Sequence, residues 1–416
     1  MNISLISEKY KNDGVATLEL SELQKRHIKK FTDKCFSGEY AFRMRECECG
    51  HGDFEVIAQK DRYGIAMDTV ICKNCGLIMT NPCMDDRSNN SFYDIDYPYI
   101  YRAEEKPSES VFLQAKEEAE YIIRFIQKHT GKRDGSVLEI GCADGRNVAA
   151  FVEAGYEATG IDLSHTYVDF GKCKGLNLIC TDAASFAEGG NQFDIVVVNH
   201  VLEHFTDLAR ELNTIRSLLK SEGYLFVAVP GVKALALGAY QGKFLLMLQN
   251  AHIFNFTKDT LCWVMKKYGF DQVYCNEWVC GIFRKGESEN GFGNQYYDTI
   301  SFLKKTEDAN GDLNKLLCNR ADEIVGMYGE GEVILYGTAA ELDIFVQRIT
   351  DLSKIRGFFY TDKKTISQVI DYALATDDIK CIFMADASKN EKLISELDEL
   401  KYDKGVNVFS AYCELF

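Results

Sequence analysis

The chain contains no uninterrupted run of about 18 apolar residues, the length that a membrane-spanning helix requires. Its first residues, MNISLISEKYKNDG, mix charges among the apolar positions and lack the continuous apolar stretch of a secretory signal. We therefore expect neither a membrane span nor a secretory signal, and we expect a cytoplasmic protein.

Basic residues are scarce. The 416 residues include 47 lysines and arginines against 63 aspartates and glutamates, which gives a formal net charge of -16 at pH 7. Binding to a nucleic-acid backbone depends on clustered lysine and arginine side chains. The composition therefore argues against a nucleic-acid partner and favours a small molecule.

Cysteines are abundant, with 15 in the chain, and in a large chain without a secretory signal they are expected to be reduced thiols or metal ligands. Cys72 and Cys75 form C-x-x-C-G, in which the glycine permits a tight turn that points two thiolates at one ion. Cys47 and Cys49 form a tighter C-x-C pair, with 22 residues between Cys49 and Cys72. Four thiolates satisfy tetrahedral zinc and leave no open position, so we predict a structural zinc site. Two alternatives are that Cys83 or His51 replaces one ligand, and that the cysteines are free and buried.

The order of predicted elements indicates an α/β protein. A helix in SVFLQAKEEAEYIIRFIQKH precedes the strands SVLEIG, EATGIDL, LNLICTD and FDIVVVN, which alternate with helices and predict a parallel sheet. A second, shorter alternation runs from EVILYG through AAELDIFVQRIT and IRGFFYT to KCIFMAD. We predict a helical extension containing LELSELQKRHIKKF (1–45), a zinc-binding domain (46–105), a Rossmann-like core (106–290) and a smaller Rossmann-like α/β domain that starts with a connecting helix around 296–327 (291–416).

A strand, a glycine turn and a helix in VLEIGCADGRNVAAF predict a ligand crevice at the carboxyl end of the sheet. Gly141 and Gly145 let the backbone approach a ligand. The turn reads E-x-G-x-x-x-G instead of the dinucleotide fingerprint G-x-G-x-x-G. The carboxylate of Glu139 would repel a pyrophosphate and attract a cationic group such as the ammonium of S-adenosylmethionine.

Three further polar residues end neighbouring predicted strands. Asp162, in TGIDLS, has the spacing of an acidic residue that accepts hydrogen bonds from both ribose hydroxyls. Asp182, in CTDAASF, is a candidate acceptor for the adenine amino group, and it is also a candidate N-cap of the next helix. Asn199, which ends FDIVVVN, completes the candidate cofactor-binding set.

Taken in order, VLEIGCADG, GIDLS, CTDAASF and FDIVVVNHVLEH make residues 108–285 resemble a class I methyltransferase. The resemblance implies S-adenosylmethionine as cofactor. The alternative is a doubly wound sheet with an unrelated function.

His200, Glu203 and His204 spell H-x-x-E-H, the signature of an inverted zinc protease. That function requires a long helix and a distal ligand, whereas this segment directly follows an apolar strand, beside the donor methyl group in the methyltransferase arrangement. His204, and with it His200, is therefore a candidate catalytic residue, His204 as a general base, because an imidazole with a near-neutral pKa can take a proton from an acceptor. The alternative is a histidine that packs against the adenine or caps a helix.

The order of the cysteine motif, FYDIDYPY, the methyltransferase motifs, AHIFNFT and an α/β tail resembles the sugar C-methyltransferases that act on nucleotide-linked ketosugars. In that family a base removes a proton beside a ketone and the enolate attacks the methyl group. The resemblance implies that Tyr93, Tyr97 and Tyr99 line the sugar pocket and that His204 and His252 stand near the reacting carbon. Aromatic packing between domains is the alternative for the tyrosines.

The chain departs from that family at two points. Where the family has Glu beside His, this chain has Asn250, Ala251 and His252, so a carboxylate partner is missing from the segment. The tail turn reads YGTAAELD. These departures keep open O-methylation of a sugar hydroxyl, which needs only a base, and a catalytically silent regulatory protein that binds the cofactor. A nucleic-acid methyltransferase is disfavoured by the net charge and by the lack of adjacent prolines among the four present.

Overall fold

In the computed structural model, the apolar strands of the central part of the chain form a seven-stranded sheet. The structure describes residues 2–102, 107–109, 112, 116–237, 239–310, 322, 325–346, 349–360, 368–369, 372–373, 375–376, 378–384 and 407–410. The chain divides into a first compact unit of residues 1–234 and 244–304 and a second of residues 235–243 and 305–416. The first unit thus extends to residue 304, beyond the predicted boundary at residue 290.

The first unit begins with short strands, one long helix and a cysteine-rich hairpin. Its elements up to residue 102 are β1 (Asn2–Ile3), a 3-10 turn (Glu8–Tyr10), α1 (Glu22–Ser37), β2 (Phe42–Arg43), β3 (Phe54–Lys60), β4 (Ala66–Cys72), β5 (Ile78–Thr80), β6 (Cys83–Met84), α2 (Asp86–Ile95) and a π-helical turn (Pro98–Arg102).

The central elements alternate as the sequence predicts. They are α3 (Lys116–Thr130), β7 (Ser136–Ile140), α4 (Arg146–Glu153), β8 (Glu157–Asp162), α5 (His165–Lys172), β9 (Leu178–Cys180), α6 (Ala183–Ala187), β10 (Phe193–Asn199), a 3-10 turn (Leu202–His204), α7 (Leu208–Leu218) and β11 (Leu219–Ala228). After them come a 3-10 turn (Lys233–Leu237), α8 (Phe244–Met247), β12 (Phe254–Asn255), α9 (Lys258–Lys267), β13 (Phe270–Cys275), β14 (Cys280–Lys285) and α10 (Tyr296–Asn310).

The central sheet has the strand order β13-β14-β11-β10-β7-β8-β9. Alternating side chains of its strands enter two separate hydrophobic clusters: Val196 and Val198 belong to one, and Ile195 and Val197 belong to the other. All four are fully buried. A strand that is covered on both faces needs an apolar residue at every position, which explains the unbroken run in FDIVVVN.

The four strands predicted to be parallel, β7 to β10, pair parallel with one another, whereas one edge of the sheet is antiparallel. The segment CGIFRK forms β14, which pairs antiparallel with both β11 and β13. A short turn after β13, with Val279 at a φ of 62°, reverses the chain and inserts the new strand between two others. The α/β fold expected from the sequence is otherwise confirmed for this part of the chain.

A second sheet in the first unit has the order β1-β3-β4-β5-β12. Four of its strands come from the first 80 residues, whereas β12 lies at 254–255, after the central strands of the other sheet. The cysteine-rich hairpin and the segment around His252 therefore share one sheet.

The predicted helix near the amino terminus is present but begins later than LELSELQKRHIKKF suggests. Ser21 and Gln24 form a reciprocal capping box that sets the start of α1, and Gly38, at a φ of 78°, ends it. Its buried Phe31 packs against Tyr40 and Phe92.

The second unit contains a four-stranded parallel sheet of order β16-β15-β17-β18, with β15 (Val333–Gly337), α11 (Ala339–Val346), a 3-10 turn (Leu352–Lys354), β16 (Ile355–Tyr360), β17 (Cys381–Met384) and β18 (Asn407–Ser410). A further 3-10 turn lies at Ala239–Gly242. Of the predicted connecting helix at 296–327, residues 296–310 form α10, and residues 311–321 lie outside the described part of the chain.

Among the helices that the structure describes, none combines the length and the apolar character needed to span a bilayer.

Asp61 ties the second sheet to the segment before His252, and its removal is expected to destabilise the first unit. Its fully buried carboxylate accepts hydrogen bonds from the backbone N–H groups of Tyr63 and Ile65, each at 2.9 Å, and of Asn250 at 3.1 Å. Asp61→Ala should lower the free energy of unfolding by about 3 kcal/mol or more, because each buried N–H left without a partner costs about 1–3 kcal/mol.

Urea denaturation followed by tryptophan fluorescence measures this effect, since both tryptophans of the chain, Trp263 and Trp278, lie in the first unit. Asp33→Ala, at a position on α1 that is 63% exposed, is the matched control and should unfold like the parent protein. Equal midpoints for the two variants would contradict the role given to Asp61.

Candidate active site

The glycine turn after β7 has the conformation that its sequence predicts. Gly141 has a φ of 73°, and Gly145, at 79°, is the N-cap of α4. A Cβ atom on Gly141 would lie 2.4 Å from Val201 Cγ2, and one on Gly145 would lie 2.8 Å from Leu178 Cδ1. Both the backbone angle and the space therefore require glycine at these two positions.

Glu139 lies beneath this turn, only 2% exposed. Its Oε1 accepts a hydrogen bond from Asn147 Nδ2 at 2.6 Å, and its Oε2 has no hydrogen-bond partner among the described residues. Burial raises the pKa of the carboxyl group to about 8. A buried acid with one unsatisfied oxygen is suited to accept a hydrogen bond from a cationic ligand group, which would also stabilise its ionised form.

Asp162 ends β8 and lies beside the same turn. Its Oδ2 accepts a hydrogen bond from the backbone N–H of Ala143 at 2.9 Å, and its Oδ1 accepts one from that of Ser164 at 2.8 Å. These two bonds fix the carboxylate at the crevice, and Ala143 adopts a φ of 48°, which is unusual for a residue with a side chain.

Asp182 is an exposed N-cap of α6. It accepts hydrogen bonds from the backbone N–H and the hydroxyl of Ser185, both at 2.8 Å, and these bonds, the first above all, lower its pKa. The N-cap interpretation is thus correct, and a contact with adenine stays a prediction. Asn199 ends β10, next to β7 in the sheet, so it lies at the same carboxyl edge as Glu139 and Asp162.

The H-x-x-E-H segment does not form a long helix. Leu202–His204 is a single 3-10 turn directly after β10, which removes the structural basis of the protease interpretation. Glu203, 1% exposed, lies among all three candidate histidines. Its Oε1 is 3.5 Å from His200 Nδ1, 3.8 Å from His204 Nε2 and 3.8 Å from His252 Nε2.

Glu203 supplies the carboxylate that the sequence around His252 lacks. Burial alone would raise its pKa, but the fields of His204, His200 and His252 outweigh burial and lower the pKa to about 2. In the sequence, Glu203 stands out only as part of the protease signature. The i, i+3 spacing of His200 and Glu203 within the segment was the available signal.

His204 and His252 lie side by side, with ring centroids 4.8 Å apart. His204 Nδ1 is 2.6 Å from the Tyr93 hydroxyl and 2.9 Å from the carbonyl oxygen of Ala251. His252 is buried, and its Nε2 is 2.6 Å from Gln249 Nε2. Burial, with His204 as the next cause, holds the pKa of His252 well below its usual value.

The three predicted pocket tyrosines separate into two groups. Tyr93 and Tyr97 lie together, with ring centroids 4.8 Å apart, and both contact His204 edge to face. Tyr99 instead stacks on His27 of α1 at 4.1 Å. The turn Pro98–Arg102 rotates the chain between Tyr97 and Tyr99, which a motif written as FYDIDYPY does not reveal.

The four predicted metal ligands lie together in a cluster that is distinct from the Glu203 cluster. Cys47 Sγ is 3.4 Å from Cys75 Sγ, Cys49 Sγ is 3.5 Å from Cys72 Sγ, and all four sulfur atoms lie within 4.8 Å of one another. Each pair is followed by a glycine with a positive φ, Gly50 at 78° and Gly76 at 81°. The group of four sulfur atoms includes neither Cys83 nor His51. His51 contacts the carbonyl oxygen of Cys49 at 3.0 Å.

Comparison with known proteins addresses the central part of the chain. Residues 113–274 match a family model described as a methyltransferase domain. A ubiquinone biosynthesis O-methyltransferase of Coxiella burnetii is 27% identical over 110 residues, which is 25% of this chain and 47% of that protein. The enzyme of the same name from Caulobacter vibrioides is 32% identical over 120 residues, which is 27% of this chain and 48% of that protein. The chain thus spans about half the length of these curated relatives.

Among solved structures, the 1,6-didemethyltoxoflavin-N1-methyltransferase of Burkholderia thailandensis, with bound 1,6-didemethyltoxoflavin and S-adenosylhomocysteine, is 17% identical. The alignment covers 51% of this chain and 96% of that one, with a TM-score of 0.38. The family match over residues 113–274 and the observed sheet, with its glycine turn after the first central strand, agree with the methyltransferase domain expected from the sequence.

Proposed function

We propose that this protein is an S-adenosylmethionine-dependent methyltransferase that methylates a carbon next to the ketone of a nucleotide-linked sugar. The observation that carries the proposal is the placement of two candidate sites on adjacent strands: the glycine turn follows β7, and the Glu203 histidine cluster follows β10. A methyl donor and an activated acceptor need to meet within a few ångströms for direct transfer.

The residues at the glycine turn fit the cofactor. Glu139 offers a buried oxygen without a partner for the ammonium group, Asp162 offers a fixed carboxylate for the ribose, and Gly141 leaves space that a side chain would fill. Asp182 and Asn199 are the candidates for the adenine and the remaining contacts. When bound, S-adenosylmethionine supplies a methyl group activated by the positive sulfonium.

The Glu203 cluster fits the activation of an acceptor. An imidazole of the cluster takes the proton of the acceptor, or the cluster stabilises the negative charge that the acceptor oxygen acquires. Glu203 and His252 are buried, and Tyr93 lies half-buried against His204, an aromatic wall that suits the face of a sugar ring.

O-methylation of a sugar hydroxyl is the second candidate, and the names of the curated relatives, which are O-methyltransferases, favour it. A catalytically silent regulatory protein is less well supported, because its argument was the missing carboxylate beside His252, and Glu203 lies 3.8 Å from that ring.

Incubation with methyl-labelled S-adenosylmethionine and a panel of nucleotide-linked ketosugars, followed by NMR of the product, distinguishes the candidates. A label bonded to carbon supports the first proposal, a label bonded to oxygen supports the second, and cofactor binding without transfer to any acceptor favours the regulatory protein.

We further propose that Cys47, Cys49, Cys72 and Cys75 hold a structural zinc ion. Four thiolate ligands complete a tetrahedral shell and leave no position for water or substrate. Asn74 Nδ2, 3.6 Å from Cys49 Sγ, adds a hydrogen bond of the kind that orients thiolate ligands.

Cofactor affinity is expected to depend on Asp162. Asp162→Ala should raise the Kd for S-adenosylmethionine about 10-fold to 100-fold, since hydrogen bonds to a charged acceptor contribute about 1.5–3 kcal/mol. Isothermal titration calorimetry measures this change. Asp169→Ala, on the exposed side of α5, is the matched control. An unchanged Kd for Asp162→Ala would remove the ribose contact from the proposal.

Turnover is expected to depend on the two paired histidines. His204→Ala and His252→Ala should each lower kcat by about 10²-fold or more, the usual contribution of a positioned acid or base, with little effect on the Kd of the cofactor. Steady-state kinetics with the acceptor identified by the panel measures it. His129→Ala serves as control because His129 stacks on Tyr274 of the edge strand β13. Near-parental turnover in both cluster variants would refute the role of the cluster.

Zinc binding is expected to require the cysteine cluster. Purified parent protein should contain one zinc ion per chain, measured by elemental mass spectrometry. Cys75→Ser should lose the ion. This variant should also unfold at a lower urea concentration, because metal binding contributes to folding. Cys83→Ser, which changes a buried cysteine outside the cluster, should keep its zinc. Parent protein without zinc, or a full zinc content in Cys75→Ser, would disprove the proposal.

A further inference from the structure

The carboxylate of Glu203 is buried without a hydrogen bond. Neither Oε1 nor Oε2 has a hydrogen-bond partner among the described residues, although the side chain is only 1% exposed. The nearest histidine nitrogens, at 3.5–3.8 Å, are beyond ordinary hydrogen-bond length. An isolated buried carboxylate is strongly unfavourable unless a positive charge compensates it. The charge of this carboxylate depends on the nitrogen atoms that His204 and His252 direct towards it.

His204 presents a lone pair to Glu203. Its Nδ1 is 2.9 Å from the carbonyl oxygen of Ala251, which can only accept, so this nitrogen carries the proton. The Tyr93 hydroxyl donates to the same carbonyl at 3.2 Å, which leaves the phenolic oxygen free to accept from Nδ1. In the tautomer with its proton on Nδ1, the unprotonated nitrogen is Nε2, the atom that lies 3.8 Å from Glu203 Oε1. A histidine whose other nitrogen donates to a backbone carbonyl is the usual arrangement of a metal ligand.

His252 presents a second lone pair. The amide of Gln249 is oriented by Arg62, whose Nη2 donates to Gln249 Oε1 at 3.4 Å. The Nε2 of that amide therefore faces His252 Nε2, at 2.6 Å, as a donor, and the histidine nitrogen accepts. This same nitrogen is the one that lies 3.8 Å from Glu203 Oε1.

One nitrogen of each imidazole and one carboxylate oxygen of Glu203 thus lie close together. The three ligand atoms, one from each of Glu203, His204 and His252, lie within 4.8 Å of one another. Such a set repels itself electrostatically unless a cation lies between its members. Two histidines and one carboxylate bind divalent first-row transition metals and leave open coordination positions for a substrate.

We propose that Glu203, His204 and His252 bind a divalent first-row transition-metal ion, and that an open position of this ion binds the acceptor oxygen at or next to the methylated atom. The inference rests on the proposed function and deepens it: the cluster acts on the acceptor by stabilising negative charge on its oxygen. The ion would take the place of the Gln249 amide at His252. It is distinct from the zinc ion held by the four cysteines.

Manganese binding tests the proposal without any acceptor. Full-length protein, with zinc already bound at the cysteines, is titrated with Mn²⁺ alone and followed by electron paramagnetic resonance, in which the signal of free Mn²⁺ falls as the ion binds. We expect one saturable site per chain in the parent protein. Glu203→Gln should weaken binding at least tenfold, and Glu22→Gln, at a side chain that is 83% exposed, is the matched control and should bind like the parent.

A second variant guards against loss of folding in Glu203→Gln. His252→Asn removes one proposed ligand from a different segment and should also weaken Mn²⁺ binding at least tenfold, while Cys83→Ser, a buried cysteine outside both clusters, should leave it unchanged. Tryptophan fluorescence confirms that each variant is folded. Absence of a saturable site in the parent, or equal binding in folded Glu203→Gln and His252→Asn, would overturn the proposal and would favour a metal-free cluster of charged histidines.

Calorimetry with S-adenosylmethionine on the same samples separates this inference from the proposed function. Cofactor binding without a Mn²⁺ site would refute the metal site and leave the methyltransferase proposal intact. A Mn²⁺ site without cofactor binding would refute the proposed function, and with it the role of the ion in methyl transfer.

Discussion

The buried carboxylate of Glu203 is the constraint on which the candidate active site depends. Its side chain faces His200, His204 and His252, and its backbone oxygen accepts a hydrogen bond from the N–H of Ile253 at 2.8 Å. One residue therefore fixes both the turn after β10 and the segment that carries His252. Because an uncompensated buried charge is unfavourable, this arrangement is stable only when the surrounding nitrogens, or a cation held with them, balance it.

The cofactor turn and the Glu203 cluster are coupled through two adjacent strands. Glu139 of β7 is in register with Val197 of β10, and Val201, just beyond β10, packs against Gly141 in the glycine turn. A side chain on Gly141 would push against the segment that leads to Glu203. The absence of a side chain on Gly141 thus lets the segment that leads to Glu203 lie close to the glycine turn.

The features that the sequence predicted well depend on residues that are neighbours in the chain. The strand-turn-helix corner at Glu139, Gly141 and Gly145 follows from contiguous residues whose backbone angles glycine alone tolerates, and the cysteine pairs follow from their own turns. Contacts between distant segments were not predictable in this way. Glu203 meets His252 across 48 intervening residues because β12 joins the cysteine-rich sheet, and no pattern near either residue indicates that pairing. The antiparallel strand β14 and the separation of Tyr99 from Tyr97 likewise depend on turns. The amino-acid composition of a turn does not determine the direction in which it sends the chain.

The cysteine cluster and the segment that carries His252 are connected through one sheet. Cys72 ends β4, which pairs with β5, and β5 pairs with β12 beside His252. At the end of β5, the backbone N–H of Thr80 donates to the carbonyl oxygen of Ile253 at 2.8 Å. The Thr80 hydroxyl donates to the carbonyl oxygen of His252, also at 2.8 Å. A sheet of short strands has little hydrophobic area to hold its register, so a closed set of four thiolates on its hairpin is an effective way to fix it. The proposed zinc ion, although it lies away from the candidate active site, would then help to hold His252 beside Glu203 through the strands of this sheet.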